Sequence, residues 1–412
     1  MTPILSILVA TKNRIPYCKN LIETILNFPD NDFELIIQDN SDSLDLKNFS
    51  QSIIDNRFKY NYTPPPFSSI DNFNAVISQA SGEYLCLIGD DDSVNPDILK
   101  LVRWACDKDI EAIVPIIKSV YLWPDTCQTI EIHKNKNGVL NIYPILGNFD
   151  VYSPKAEVKL LMQNGAQNYL GYKLPKLYHG IVKKSKMDEI KSDLGYYVGG
   201  LSPDIYIAVC LAFKIDKVYY VDYPLTIPGI CTQSTSGEAA VKKTIDKLED
   251  AIHFRDRGKY NWSNVVPKFY CDENIWADSA LAALTDLKKE KTLKKFNLYR
   301  LTHILLKKYE SREDIILENF YCNLKINNIV LKYISKKYLI FQTLNFIPFT
   351  NIVYKKIKVK VFGKNNIQIN SMEIKNLPNV FQATNSLKEY LNNQNSSIDL
   401  LLKKIDEKFG KI

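Results

Sequence analysis

Two rhythms alternate along the first 120 residues. Short apolar runs at 4–10, 33–37, 58–62 and 83–89 read as strands. Between them, 16–28, 44–55 and 69–80 carry apolar residues at helical spacing. In the first of these, Tyr17, Leu21, Ile22, Ile25 and Leu26 line one face, and Pro16 suits a helix start. Asn95-Pro96 opens a further helix running to about Cys106, followed by a strand at 112–117. Strands alternating with helices of this length predict an α/β fold, a mostly parallel sheet flanked by helices. Residues 118–170 are rich in Asn, Tyr and Pro and predict loops and short strands. A strand at 178–182, a helix at 204–214 and a strand at 218–221 follow. Beyond about residue 238 the pattern is largely helical.

In such sheets ligands bind beyond the carboxyl ends of the strands. Three exits carry polar chemistry: Thr11 to Arg14, Asp39 to Ser41, and Asp90-Asp91-Asp92. A division follows: 1–235 as an α/β part and 236–412 as a basic, mainly helical region.

Composition narrows the picture. The 412 residues exceed one ordinary domain, and 46% hydrophobic with 24% charged residues is the balance of a folded globular chain. Eight cysteines are scattered without a CxxC pair, which argues against a zinc ribbon or a disulfide framework and for a reducing cytoplasm. No signal peptide and no membrane-spanning run is expected. The net charge of +7 is uneven: residues 287–364 hold 18 Lys/Arg against 5 Asp/Glu. Within that window the uncharged stretch Tyr338–Tyr354 is flanked by lysines. It suits either a buried element or contact with an anionic membrane surface.

Three adjacent carboxylates repel one another, so Asp90, Asp91 and Asp92 at the end of a buried strand point to a shared cation. Asp90 and Asp92, two positions apart, reach one side of an extended chain. A hard divalent ion, Mg²⁺ or Mn²⁺, takes one or two carboxylates plus substrate phosphates. The plainer alternative is a solvated acidic loop before the helix at Asn95. Asp39 can accept from a nucleobase or ribose, or simply close a turn. Lys12 and Arg14 suit a diphosphate, or ordinary surface charge. GxGxxG and GxxxxGK[ST] are both absent, which argues against a dinucleotide oxidoreductase or a P-loop enzyme. The lone His179 and His253 read as structural or surface residues.

Taken together, Ser6-Ile7-Leu8-Val9-Ala10-Thr11-Lys12-Asn13-Arg14, then Ile36-Ile37-Gln38-Asp39-Asn40-Ser41-Asp42, then Ser81-Gly82-Glu83-Tyr84 leading into Asp90-Asp91-Asp92, resemble the family 2 inverting glycosyltransferases of the GT-A fold. The resemblance covers about residues 1–117 and implies a catalytic domain over 1–235, with nucleotide-sugar binding in 1–117 and the acceptor side in 118–235. It implies a nucleotide-sugar donor, foremost a UDP-sugar, a divalent cation, and a glycan or lipid-linked glycan acceptor in bacterial surface-polysaccharide synthesis. It assigns Thr11, Asn13, Arg14, Asp39, Asp90 and Asp91 to the donor, and Asp92 with Asp90 to the metal. Asn72 and Asn74 fall on the family's polar helix near the donor. The family's general base usually opens a helix about a hundred residues downstream. Asp204 fits that role, although Pro203-Asp204 replaces the common Glu-Asp. The setting implied is cytoplasmic, at the inner face of the membrane, with no nucleic-acid partner. Rival classes are a sugar-nucleotidyltransferase and a non-catalytic nucleic-acid or membrane binder using the basic region.

Overall fold

The computed structural model describes residues 2–129, 136–234, 248, 251, 253–324, 371–394 and 396–409. Seven elements open the chain: β1 (Leu5–Thr11), α1 (Ile15–Leu26), β2 (Phe33–Asp39), α2 (Asp45–Ser50), β3 (Phe58–Tyr62), α3 (Ser69–Ser78) and β4 (Tyr84–Ile88). Every residue of β2 and β4 is buried, as expected for strands covered on both faces. Next come β5 (Ser93–Val94), α4 (Ile98–Asp107), β6 (Ala112–Pro115), β7 (Ser119–Leu122), α5 (Pro124–Thr129), β8 (Val139–Ile142), β9 (Phe149–Tyr152) and α6 (Pro154–Gln163). Then follow β10 (Ile181–Lys183), α7 (Lys184–Leu194), α8 (Pro203–Leu211), β11 (Val218–Val221), β12 (Thr226–Ile227) and β13 (Gly229–Ile230).

The main sheet runs β3-β2-β1-β4-β10-β6-β11-β9. Only β10 and β9 lie antiparallel to their neighbours. This is the α/β architecture expected from the sequence. The register sets the strand exits level: Thr11 pairs with Asp39, and Asp39 with Tyr62. Val9 pairs with Ile88, so Asp90 emerges beside Thr11.

Three expected elements differ. The helix expected over 44–55 ends at Ser50. Ile54 beyond it is fully exposed, and Arg57 holds the turn by donating to Asp55 and to the carbonyls of Leu26, Phe28 and Asp30. The strand expected from 178 begins at Ile181, because His179 takes a left-handed φ of 54°. Residues 118–170 include the helices α5 and α6 as well as short strands.

The C-terminal region is largely helical and adds a strand, β14 (Met372–Lys375), to a second sheet ordered β13-β7-β8-β14. Successive β1 residues face opposite ways, so Leu8 and Ile7 enter different cores. On the Leu8 side pack helices Asp272–Asp286 and Leu298–Lys308. On the Ile7 side pack helices Val380–Asn393 and Ile398–Phe409. Tyr121 donates to the Leu377 carbonyl at 2.6 Å, and Trp104 to Asp406 at 3.0 Å. The stretch Tyr338–Tyr354 lies outside the described residues. Among the described residues no helix is long and apolar enough to cross a membrane.

Leu387 is fully buried in the core it shares with β1 and α1. Leu387→Ala is expected to cost about 2–5 kcal/mol in urea unfolding. The unfolding should remain one transition, since this helix and the sheet share a core.

Candidate active site

The strand exits bring Thr11, Arg14, Asp90, Asp91 and Asp92 together. All three carboxylates are buried, a cost that must be met by donors. Each meets it differently. Asp90 accepts from the Thr11 hydroxyl at 2.5 Å and from Arg14 Nε at 3.1 Å, and a second Arg14 nitrogen closes on its other oxygen. Burial pushes the Asp90 carboxyl up, with Arg14 opposing. Burial works against the charge on Arg14, but the attraction of Asp90 and Asp91 outweighs it and strengthens its hold on the proton.

Asp91 is held more loosely, by Arg14 at 3.4 Å and the Cys231 N–H at 3.3 Å. Burial, then repulsion from Asp92, pushes its carboxyl up to about 7. Its carbonyl accepts from Trp123 Nε1 at 2.9 Å, which fixes the turn.

Asp92 has the richest donor set. Oδ2 accepts from the Gly89 N–H at 2.6 Å and Tyr178 OH at 3.1 Å, and lies 3.1 Å from His179 Nε2. Oδ1 accepts from the Gly229 N–H at 2.7 Å. Burial alone would raise this carboxyl, but His179 and the two backbone donors bring it below its ordinary value. Two glycines are required for this. A Cβ on Gly229 would fall 1.8 Å from the Asp91 carbonyl, and one on Gly89 would fall 2.7 Å from Tyr178 OH.

His179, read from sequence as structural or surface, therefore sits on Asp92. Its left-handed backbone aims the ring there, and its Nδ1 is buried without a partner among the described residues. No sequence periodicity announces Tyr178, His179 or Gly229. Only Gly89, directly before three aspartates, carried a signal.

Asp39 ends β2 and is wholly buried. Oδ1 accepts from the Ser41 N–H at 2.8 Å, and Oδ2 from Tyr60 OH at 2.7 Å. Asn13 ties the first two exits, exchanging hydrogen bonds with Asp42 at 2.7 and 2.9 Å. Asn72 donates to the Thr11 carbonyl at 3.2 Å and to Asn40 at 2.9 Å. Asn74 does not reach these exits: its side chain binds the backbone of Tyr197 and Val198.

Asp204 lies in the first turn of α8, with Tyr169 OH 3.4 Å away. Burial raises its carboxyl, against the opposing charges of His179 and Lys176 and with a contribution from Asp92, so these groups share one electrostatic neighbourhood. Burial, then repulsion from Lys173, holds Lys176 down to about 8. The turn before α8 is fixed from outside the sheet. Ser279 Oγ accepts from the N–H groups of Leu201 and Ser202, and Gly200, at φ +62°, packs against Tyr206 and Ser279.

A divalent cation is what such a donor set suggests. Asp91 and Asp92 fit it: both are hard oxygen donors, Asp92 Oδ1 has a single partner, and Asp91 carries repulsion that a cation would relieve. Asp90 fits less well, since Arg14 already neutralises it. Among the described residues no three or more His, Cys, Asp or Glu side chains are grouped to hold an ion without help from substrate.

Residues 6–144 match the family described as Glycosyl transferase family 2. These residues are a family 2 glycosyltransferase domain. One known relative is the GalNAc(5)-diNAcBac-PP-undecaprenol beta-1,3-glucosyltransferase of Campylobacter jejuni, 36% identical over 98 residues. That match spans 22% of this chain and 31% of the relative's length. Among solved structures, S. aureus TarS 1-349 in complex with UDP-GlcNAc covers 85% of this chain and 91% of its own at 12% identity, with a TM-score of 0.45. The mannosyltransferase PcManGT from Pyrobaculum calidifontis, in complex with GDP-Man and Mn²⁺, covers 84% and 87% at 10% identity, with a TM-score of 0.36.

Two glycine substitutions separate the steric demand at Asp91 from ordinary backbone strain. Gly195→Ala adds a methyl where nothing lies within 4 Å, at φ +86°, and should cost about 1 kcal/mol. Gly229→Ala must displace the Asp91 backbone and should lower the melting temperature clearly more. Equal shifts in the two variants would contradict the packing described.

Proposed function

We propose that the protein is an inverting glycosyltransferase. It moves a sugar from a nucleoside-diphosphate donor to a hydroxyl of a glycan or lipid-linked glycan. The observation that carries this reading is the convergence of three buried carboxylates with Arg14 at the exits of β1 and β4, within electrostatic reach of Asp204. Residues 1–235 would carry the chemistry, with 236–412 bracing it.

Asp39 and Asn13 line the nucleoside side. Arg14, already turned toward the carboxylates, supplies positive charge beside the diphosphate. Asp92, with Asp91, would hold Mg²⁺ or Mn²⁺, and a bound ion supplies charge to offset the departing diphosphate. Asp90 keeps Arg14 oriented. Asp204 takes the proton of the attacking hydroxyl, and its raised pKa makes it a stronger base than an exposed aspartate. A single displacement inverts the anomeric carbon. The uridine nucleotide and the surface-polysaccharide setting rest on the family resemblance. The undecaprenol-linked glycan in the Campylobacter relative's name supports a lipid-linked acceptor. That acceptor is the reason to propose contact with the inner membrane face through the basic C-terminal region.

Nucleotide-sugar turnover with Mn²⁺ should release a nucleoside diphosphate. Pyrophosphate as product would instead indicate a nucleotidyltransferase. Asp204→Asn should lower transfer by about 10²–10⁴-fold while leaving donor affinity in calorimetry unchanged. Asp92→Asn should weaken metal-dependent donor binding. Full transfer by Asp204→Asn would remove it as the base.

The pH dependence has a defined sign. Asp204 must be deprotonated to act and its pKa is raised, so kcat/KM should fall as pH drops through a midpoint above the ordinary aspartate value of about 3.9. An acid limb at or below that value would contradict the assignment.

A further inference from the structure

A cavity of about 710 Å³ lies between α3, the turn at 196–200, the segment 257–264 and the helix Asp272–Asp286. It is separate from the carboxylate cluster but joined to it on three sides. Asn72 of α3 binds the strand exits, while Ile70, Asp71 and Asn74 of the same helix line the cavity. Gly199 and Gly200 line it too, and four residues after Gly200 the chain reaches Asp204. Lys12, just past β1, pairs at 3.1 Å with Asp256, the neighbour of Arg257 in the cavity wall.

The lining has a definite chemistry. Arg257 lies 4.5 Å over the Tyr260 ring, and its Nη1 is buried without an acceptor among the described residues. A buried donor of this kind leaves a hydrogen bond unmade. Asp286 spends Oδ2 on Tyr196 at 3.0 Å and Tyr206 at 2.6 Å, so no described donor reaches its Oδ1. Asp278 is satisfied by Tyr260 and by the Ser263 N–H. Asn261 and Lys259 add exposed donors. Three carboxylates, Asp71, Asp278 and Asp286, face two cations, Arg257 and Lys259, so the wall does not favour an anion. A wholly apolar ligand would leave these polar groups without partners. Donors and acceptors in near balance, beside the side chains of Tyr196, Tyr260 and Trp262, suit a neutral polyol with C–H faces.

We propose that this cavity is a carbohydrate subsite, holding acceptor sugar units next to the one whose hydroxyl reacts. The assignment to the acceptor rests on the glycosyltransferase reading; the chemistry of the cavity does not.

The test uses the full chain with UDP and diamagnetic Mg²⁺ present to occupy the donor side. Neutral hexose and N-acetylhexosamine oligosaccharides and their methyl monosaccharides are screened by saturation-transfer NMR, and inorganic phosphate by calorimetry. At least one oligosaccharide should bind more tightly than its monosaccharide. Arg257→Gln should weaken it about tenfold and Asn261→Ala about fivefold, as expected for a lost charged and a lost neutral hydrogen bond. If Arg257→Gln melts early, Asn261→Ala decides alone, since its exposed side chain bears no packing. Binding independent of chain length, binding unchanged in the variants, binding of phosphate alone, or no binding would each overturn the proposal. Oligosaccharide binding without nucleotide-sugar turnover would remove the glycosyltransferase reading and leave a carbohydrate site. Turnover without oligosaccharide binding would remove the subsite alone.

Discussion

Three carboxylates in a row, all withdrawn from water, are the constraint around which this molecule is arranged. Their mutual repulsion and the loss of hydration must be met within a few ångströms. Arg14 meets it for Asp90 from the β1 exit. Backbone N–H groups of Gly89 and Gly229, with Tyr178 and His179, meet it for Asp92. Asp91 is left least satisfied, and its carboxyl shifts toward neutrality. The division of roles among three identical side chains thus follows from their surroundings. A buried pair broken on one side typically costs several kcal/mol, so these partners hold the turn in place as well as its charge.

The parts that satisfy the cluster come from far along the chain. Gly229 belongs to β13, whose sheet is completed by β14 near the C-terminal end. Thr384, on a helix packed over α1, binds Ser93, the residue after Asp92, at 3.0 Å. On the opposite face, the helix Asp272–Asp286 fixes the turn into α8 through Ser279 and holds Tyr206 through Asp286. The C-terminal elements are therefore braces of the site on both faces of the sheet. Their helical character says less about their role than where they land.

How much of this could be read beforehand depended on whether the determinant was local. The strands at Leu5, Phe33 and Tyr84 were legible because continuous apolar runs are what a doubly covered parallel strand requires, and the edge strand at Phe58 by its alternation of aromatic and polar residues. The meeting of Thr11, Asp39 and Asp90 followed from topology, since parallel strands of similar length end together. Apart from Gly89, the donors to Asp92 were not legible. Gly229 serves by lacking a side chain, and His179 by a left-handed backbone that broke an otherwise plausible strand. Ile54 shows the converse: its spacing suited a longer helix, but nothing in the fold covers it, and Arg57 pulled the chain into a turn. The family 2 resemblance identified the carboxylates, whereas their partners required coordinates.

The hydrogen bond between Ser93 and Thr384 spans 291 positions, and that between Asp92 and Gly229 spans 137. A ribosome adding about 5–20 residues per second takes roughly 15–60 s to cover the longer span. Until the helix carrying Thr384 has emerged, the acidic turn lacks the partners that complete its environment. The turn acquires its final environment late, when the closing helix reaches it. Synthesis itself therefore times the maturation of the site, and the first strands to emerge are among the last to be completed.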